Sequence, residues 1–149
     1  MPQNIFLELQ PVCEVGWELA VHGKCYLFKS NLTTKGDAKR FCYDLNASLL
    51  IVENWQQNGF LASKLGAGES FWLRINDGLQ ENTWVIDRWG YTKPTARTPV
   101  SYFNWHENEI NDQTKNSVIM DSDGTWRSVY GYQTSRIACQ TNPGNDAVF

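Results

Sequence analysis

The residues best equipped for chemistry lie in one run, Ser101-Tyr102-Phe103-Asn104-Trp105-His106-Glu107-Asn108-Glu109-Ile110-Asn111-Asp112. Its first half is aromatic and strand-like. Its second half crowds the carboxylates Glu107, Glu109 and Asp112 and the amides Asn108 and Asn111 into a segment with almost nothing to bury. Such oxygen-rich loops suit a hard cation, since Ca²⁺ collects about six to eight oxygens without strict geometry. Glu109 and Asn111 are two apart, so on an extended backbone they point the same way and Ile110 points opposite. A carboxylate that only accepts beside an amide that also donates can hold a sugar hydroxyl from both sides. The competing reading is a solvated loop whose Asn and Asp satisfy nearby backbone groups, and on this stretch alone it ranks first.

Catalytic chemistry finds little support. His22 and His106 are the only histidines, and neither sits beside a candidate nucleophile. Glu107 and Glu109 are too close on one loop to flank a glycosidic bond from both sides. Trp89, Tyr91 and Trp105 can stack on a sugar or a protein partner. Asn31-Leu32-Thr33 and Asn46-Ala47-Ser48 are N-glycan acceptor triplets in a eukaryotic setting, and such triplets also arise by chance.

The 149 residues fit one domain able to bury a sizeable core. Seven Trp, seven Phe and six Tyr against 19% charged residues point to a compact, β-containing domain with many loops. A net charge of −3 without a basic run argues against nucleic acid, and no stretch reaches membrane-span length. Cys13, Cys25, Cys42 and Cys139 form an even set with no CxxC or Cys/His cluster, so two disulfides in an oxidising compartment are expected rather than zinc. Three pairings are possible in principle. Cys13 with Cys25 would close a short hairpin, leaving Cys42 for Cys139; in the loop-entropy account these are worth roughly 3 and 5 kcal/mol. The Met1-Pro2 start shows no export signal, as expected of a mature chain or an excised domain.

Residues 1–12 read as an extended lead-in, and Cys13 to Phe28 as two short strands joined by a Gly-containing turn. Apolar positions Ala38, Phe41, Cys42 and Leu45 recur at helical spacing behind Thr34, which predicts a helix over about 34–46. A second helix is expected from Glu53 to Leu65, ended by Gly66 and Gly68. Phe71–Ile75 is the clearest strand. Residues 76–112 are irregular, with strand-like pieces at Trp84-Val85-Ile86 and Tyr102-Phe103, and a long irregular region in a small domain is usually functional or disordered. A hairpin over Ser117–Val129 and a last strand at Arg136–Cys139 follow, with a loose tail over 141–149.

The order of these landmarks resembles the C-type lectin-like domain over residues 13–140. The matching residues are Cys13, Trp17, Cys25-Tyr26, Ala38, Phe41-Cys42, Trp72-Leu73, Phe103-Asn104-Trp105, Trp126 and Cys139. The resemblance implies an α+β fold with two helices flanking antiparallel sheets, adjoining termini, and a long ligand-binding loop region. Ser117 and the Tyr130-Gly131 region stand where the family usually has a further disulfide. In sugar-binding members a loop Ca²⁺ is held by a Glu-Pro-Asn type motif, a following Glu, and an Asn-Asp pair after the conserved Trp. Here Glu109-Ile110-Asn111 lacks the proline, the following Glu falls near Lys115 or Asn116, and the Asn-Asp pair reads Arg127-Ser128. A guanidinium about 5 Å from a divalent ion costs several kcal/mol, so Arg127 is expected to replace the ion by pairing with Glu109 and contacting Asn111. The family's auxiliary Ca²⁺ site matches Asp77, Glu81 and Asp112, against the alternative that Asn76-Asp77-Gly78 is simply a turn.

The expected function is therefore extracellular or secreted recognition, not catalysis. A glycan or cell-surface glycoprotein would bind through Glu109, Asn111, Arg127, Trp89 and Tyr91. Calcium would be held by Asp77, Glu81 and Asp112, or by Glu109 and Asn111. The alternative is a metal-independent protein-binding domain.

Overall fold

The structure, a computed structural model, describes residues 8–78, 82–86, 98–107, 109 and 114–148. Among them the chain order is β1 (Glu8–Val12), β2 (Glu18–Leu19), β3 (Cys25–Thr33), α1 (Lys35–Asp44), β4 (Ser48–Leu49), α2 (Trp55–Ala62), β5 (Ser70–Asn76), β6 (Val85–Ile86), β7 (Thr98–Pro99), β8 (Ser117–Asp121), β9 (Trp126–Val129), β10 (Ser135–Thr141) and β11 (Gly144–Val148). One sheet runs β2-β3-β10-β5-β6-β7, with β4 on β10, β8 on β5 and β9 on β8. The contact of β10 with β5 is parallel, whereas the other strand pairs are antiparallel. This is the expected α+β architecture.

Local chemistry explains the helices. Thr34 caps α1, its side chain accepting from the Asp37 amide at 3.4 Å, and Asn54 caps α2 through the Gln57 amide at 2.9 Å. The Gln57 side chain returns the favour at the amide of Glu53 (2.9 Å), a reciprocal cap that satisfies two otherwise orphaned donors. Both helices stop short of the predicted ends. Asn46 takes the left-handed conformation (φ 57°) after α1, which Asn tolerates, and Ala47 donates back to the Cys42 carbonyl at 2.9 Å.

β5 separates two cores. Phe71, Leu73 and Ile75 face one with Tyr26, Leu50, Leu61, Val118, Met120 and Trp126, while Trp72 faces the other with Ala38, Cys42, Leu49, Ile119, Ile137 and Cys139. That is the period-2 alternation of a strand buried on both sides. The disulfides are Cys13–Cys25 and Cys42–Cys139, the second joining α1 to β10 inside the second core.

Two expectations need correction. The tail is not loose: β11 pairs antiparallel with β1, from Glu8 opposite Val148 to Val12 opposite Gly144. Neither segment carries a strand pattern alone, and the ladder forms because the fold brings the two ends together. Tyr102-Phe103 is not a strand; the short strand of this region is β7, four residues earlier.

Candidate functional site

The site is built outward from Trp126, which opens β9 and is 1% exposed. Its indole N–H donates to Asn58 Oδ1 on α2 at 2.8 Å, and the same Asn58 donates through Nδ2 to the Gly124 carbonyl at 2.9 Å. Asn104 also donates to that carbonyl, at 2.7 Å. The backbone then completes the tie: Trp126 donates to the Asn104 carbonyl (2.8 Å) and His106 donates to the Trp126 carbonyl (3.0 Å). The irregular segment 104–106 is thereby fixed alongside β9, with Trp105 bridged to Trp126.

On this scaffold Trp105 stands between aromatic neighbours, 5.0 Å from Trp84, 5.9 Å from Phe103 in a stacked arrangement, and 6.0 Å edge-on from Trp126. Beyond Trp105 the chain turns, Glu109 donating its amide to the His106 carbonyl at 2.9 Å. The Glu109 carboxylate reaches back to β9, where Oε1 accepts from the Ser128 amide at 2.7 Å and from the Ser128 hydroxyl in a short contact. Asn82, Trp84, Trp105, His106, Glu109 and Ser128 line one open cavity of about 190 Å³. An aromatic wall facing a fixed carboxylate is the chemistry of a small polyhydroxylated ligand, with the ring faces taking C–H surface and the carboxylate taking hydroxyls.

The expected pairing of Arg127 with Glu109 does not occur. Arg127 donates from Nε and Nη2 to the two Asp121 carboxylate oxygens, at 2.5 and 3.0 Å. The register explains why. Arg127 lies opposite Ile119, so Asp121 is its diagonal neighbour on one face of the β8–β9 hairpin, and Ser128 points to the other face. The Asp121 hydrogen bond is the main influence holding the guanidinium pKa above its ordinary value; Glu109 contributes only through its more distant charge. Ser128, counted from sequence only as a lost calcium ligand, is the group that holds Glu109.

Asp77 directly follows β5 and is 2% exposed. Its Oδ2 accepts from the Asn82 amide at 3.0 Å, whereas its buried Oδ1 has no hydrogen-bond partner among the described residues. Burial pushes this carboxyl above the usual carboxylate range, against the lowering effect of the Asn82 amide. A buried oxygen without a partner is the kind of group a cation satisfies. Asn82, held left-handed at φ 66°, connects Asp77 to the cavity. Glu81, Trp89, Tyr91, Asn111 and Asp112 lie outside the described residues. Among the described residues no three His, Cys, Asp or Glu converge as a metal cluster. Asn82, Trp84 and His106 were not singled out from sequence as site walls; the tilt of Trp84 on Trp105 depends on long-range pairing that no local pattern reports.

The family model for the lectin C-type domain matches residues 31–141. Human C-type lectin domain family 17, member A is 30% identical over 129 residues, which cover 86% of this chain and 32% of that protein. The chain thus spans about a third of that relative. The mouse scavenger receptor C-type lectin carbohydrate-recognition domain superposes with a TM-score of 0.77 at 21% identity, covering 89% of this chain and all of that one. A calcium-independent type II antifreeze protein superposes with a TM-score of 0.75 at 17% identity, covering 91% of this chain and 98% of that one. Family match, architecture and both disulfides agree: the chain belongs to the C-type lectin domain family, whose members are recognition modules.

Proposed function

We propose that this domain binds carbohydrate, with one sugar residue seated in the cavity between Trp84, Trp105, Glu109 and Ser128. The observation that carries the reading is the Glu109 carboxylate, immobilised through Oε1 by two Ser128 donors and facing an indole wall. At about 190 Å³ the cavity is below the size of a drug-like pocket, so it suits a single ring of a larger glycan. Asn111, Trp89 and Tyr91 extend the contact surface in this reading. Arg127, occupied by Asp121, acts at the rim through its charge.

Calcium is proposed at Asp77, with Glu81 and Asp112 as further ligands, where it would satisfy the unpartnered Oδ1 and clamp the loops. Glu109 and Asn111 are read as sugar contacts rather than as ion ligands, because Ser128 already supplies hydrogen-bond donors to Glu109. The fold itself is compatible with either metal dependence, as the calcium-independent antifreeze neighbour illustrates. Two disulfides support the reading of a domain that works in an oxidising compartment, secreted or on the outer face of a cell. No helix among the described residues is long and apolar enough to cross a membrane.

The test is a glycan array read with Ca²⁺ and with chelator, beside calorimetric Ca²⁺ titration of chelator-treated protein. Glycan signals weakened by Glu109→Ala support the reading. Saturable Ca²⁺ binding abolished by Asp77→Asn supports the metal assignment. An array silent in both conditions overturns carbohydrate binding in favour of a protein ligand.

A further inference from the structure

We infer that Asn31 is the attachment site of an N-linked glycan, and that the Asn46 triplet owes its residues to the fold instead. Both triplets satisfy the acceptor pattern, and the structure separates them by asking which of their residues the fold needs. At the second triplet every choice has a structural reason. Asn46 occupies the left-handed position that ends α1, Ala47 is buried, and the Ser48 hydroxyl donates to the Leu49 carbonyl at 2.9 Å.

At the first triplet the fold explains little. Thr33 Oγ1 is buried with no hydrogen-bond partner among the described residues, and the residue's other polar contact uses its backbone carbonyl, which accepts from the Trp72 indole at 2.8 Å. A buried unpartnered hydroxyl destabilises the fold, so valine, of nearly the same shape, would serve this strand position better. The hydroxyl has a use before folding, when the transferase reads Asn-X-Thr on the extended chain. In that step the Asn31 side-chain nitrogen bonds to the anomeric carbon of a lipid-diphosphate-linked oligosaccharide, losing a proton, while the carbon–oxygen bond to phosphate breaks and the lipid diphosphate leaves.

The folded position accepts the product. Ser30, Asn31 and Leu32 are all exposed, Leu32 at 64%. The β3–β10 register breaks between Phe28 opposite Ala138 and Leu32 opposite Arg136, so residues 29–31 bulge from the ladder. On its other side β3 pairs with β2 only at Cys25 and Tyr26, so among the described residues the 27–33 edge has no strand partner. A glycan there shields an unpaired strand edge carrying an exposed leucine, a recognised hazard for edge-to-edge association.

The experiment is secretion of the full chain from a eukaryotic cell line, with intact mass and peptide mapping before and after peptide-N-glycosidase treatment. The parent chain is expected to carry a glycan on the Asn31 peptide. Asn31→Gln and Thr33→Val lose that glycan and Thr33→Ser keeps it. In an Asn31→Gln background, where neither protein carries that glycan, Thr33→Val is expected to melt no lower than its Thr33 counterpart. An unmodified Asn31 in the secreted parent chain, or a lower Tm of Asn31→Gln/Thr33→Val than of Asn31→Gln, overturns the inference.

Discussion

Because Ser128 and Arg127 are adjacent in sequence and opposite in direction, the coupling of Glu109 to each can be predicted separately. Ser128→Ala removes the hydroxyl donor to Glu109 Oε1 and leaves the backbone amide bond of 2.7 Å intact. A hydrogen bond to a charged group contributes about 1.5–3 kcal/mol, and Glu109 is half-buried, so water recovers part of the loss; about 1 kcal/mol is expected. For a chain of 149 residues that lowers Tm by roughly 2–4 °C. Arg127→Ala breaks an ion pair with Asp121 whose side chains are 47% and 25% exposed, worth about 0.2–1 kcal/mol after solvent screening. The decisive assay is a double-mutant cycle by urea denaturation, combining Glu109→Ala with each substitution. Glu109 and Ser128 should couple by about 1 kcal/mol, while Glu109 and Arg127 should be additive within about 0.5 kcal/mol. On the glycan side, Ser128→Ala should weaken binding about five- to tenfold and Arg127→Ala less than threefold, since about 1.4 kcal/mol is tenfold. Stronger coupling of Glu109 to Arg127 than to Ser128 would refute the register reasoning and restore the pairing expected from sequence.

Gly124→Ala should cost about 1–3 kcal/mol in chemical denaturation and weaken glycan binding too: φ is +87°, and a Cβ would stand 3.0 Å from Asn58 Nδ2, displacing the amide that ties Trp126. His22 shares a 2.7 Å hydrogen bond with Tyr26 and is held below its ordinary pKa of 6.5, first by burial and then by Lys24. The unfolded chain therefore takes up this proton first, so the contribution is complete above pH 6.5 and is lost as pH falls from there through the lowered pKa of the folded state; urea midpoints across that window should decline, and His22→Gln should flatten the decline. A Cβ at Gly131 would stand 3.3 Å from Ser117 Oγ, within reach of a bridge. The Ser117→Cys/Gly131→Cys protein should form a third disulfide, seen as loss of free thiol, and gain about 3 kcal/mol for a loop of roughly 15 residues.

What could be read from the sequence divides along the range of the interaction responsible. The start of α1 was legible because its determinants are local: Thr34 precedes Asp37, with Ala38 and Cys42 buried behind it; α2 starts at Trp55 behind Asn54, two residues past the expected Glu53, and its buried positions Gln57, Asn58 and Leu61 carry no apolar stripe. Cys42 was assigned to a buried face by spacing alone, and it is fully buried. The β1–β11 ladder was not legible, because each segment is a weak strand and the pairing exists only once the termini meet. The end of α1 was overextended because a left-handed Asn46 was not counted as a stop.

The error at Arg127 has a different origin. Aligning residues to a family pattern gives each position an address along the chain but says nothing of which sheet face it addresses once its residue type has changed. In a strand that information is parity. Trp126 points into the first core, so Ser128, two residues on, shares its side with Trp105 and Glu109. Arg127 faces away, where Ile119 lies opposite and Asp121 is the diagonal carboxylate. With Trp126 buried, the period-2 rule puts Ser128 and not Arg127 on the side of Trp126, and the fold brings Glu109 to that side. Where a ligand position in such a hairpin has mutated to a charged residue, parity to the nearest buried aromatic is therefore the first thing to count, and charge complementarity the second.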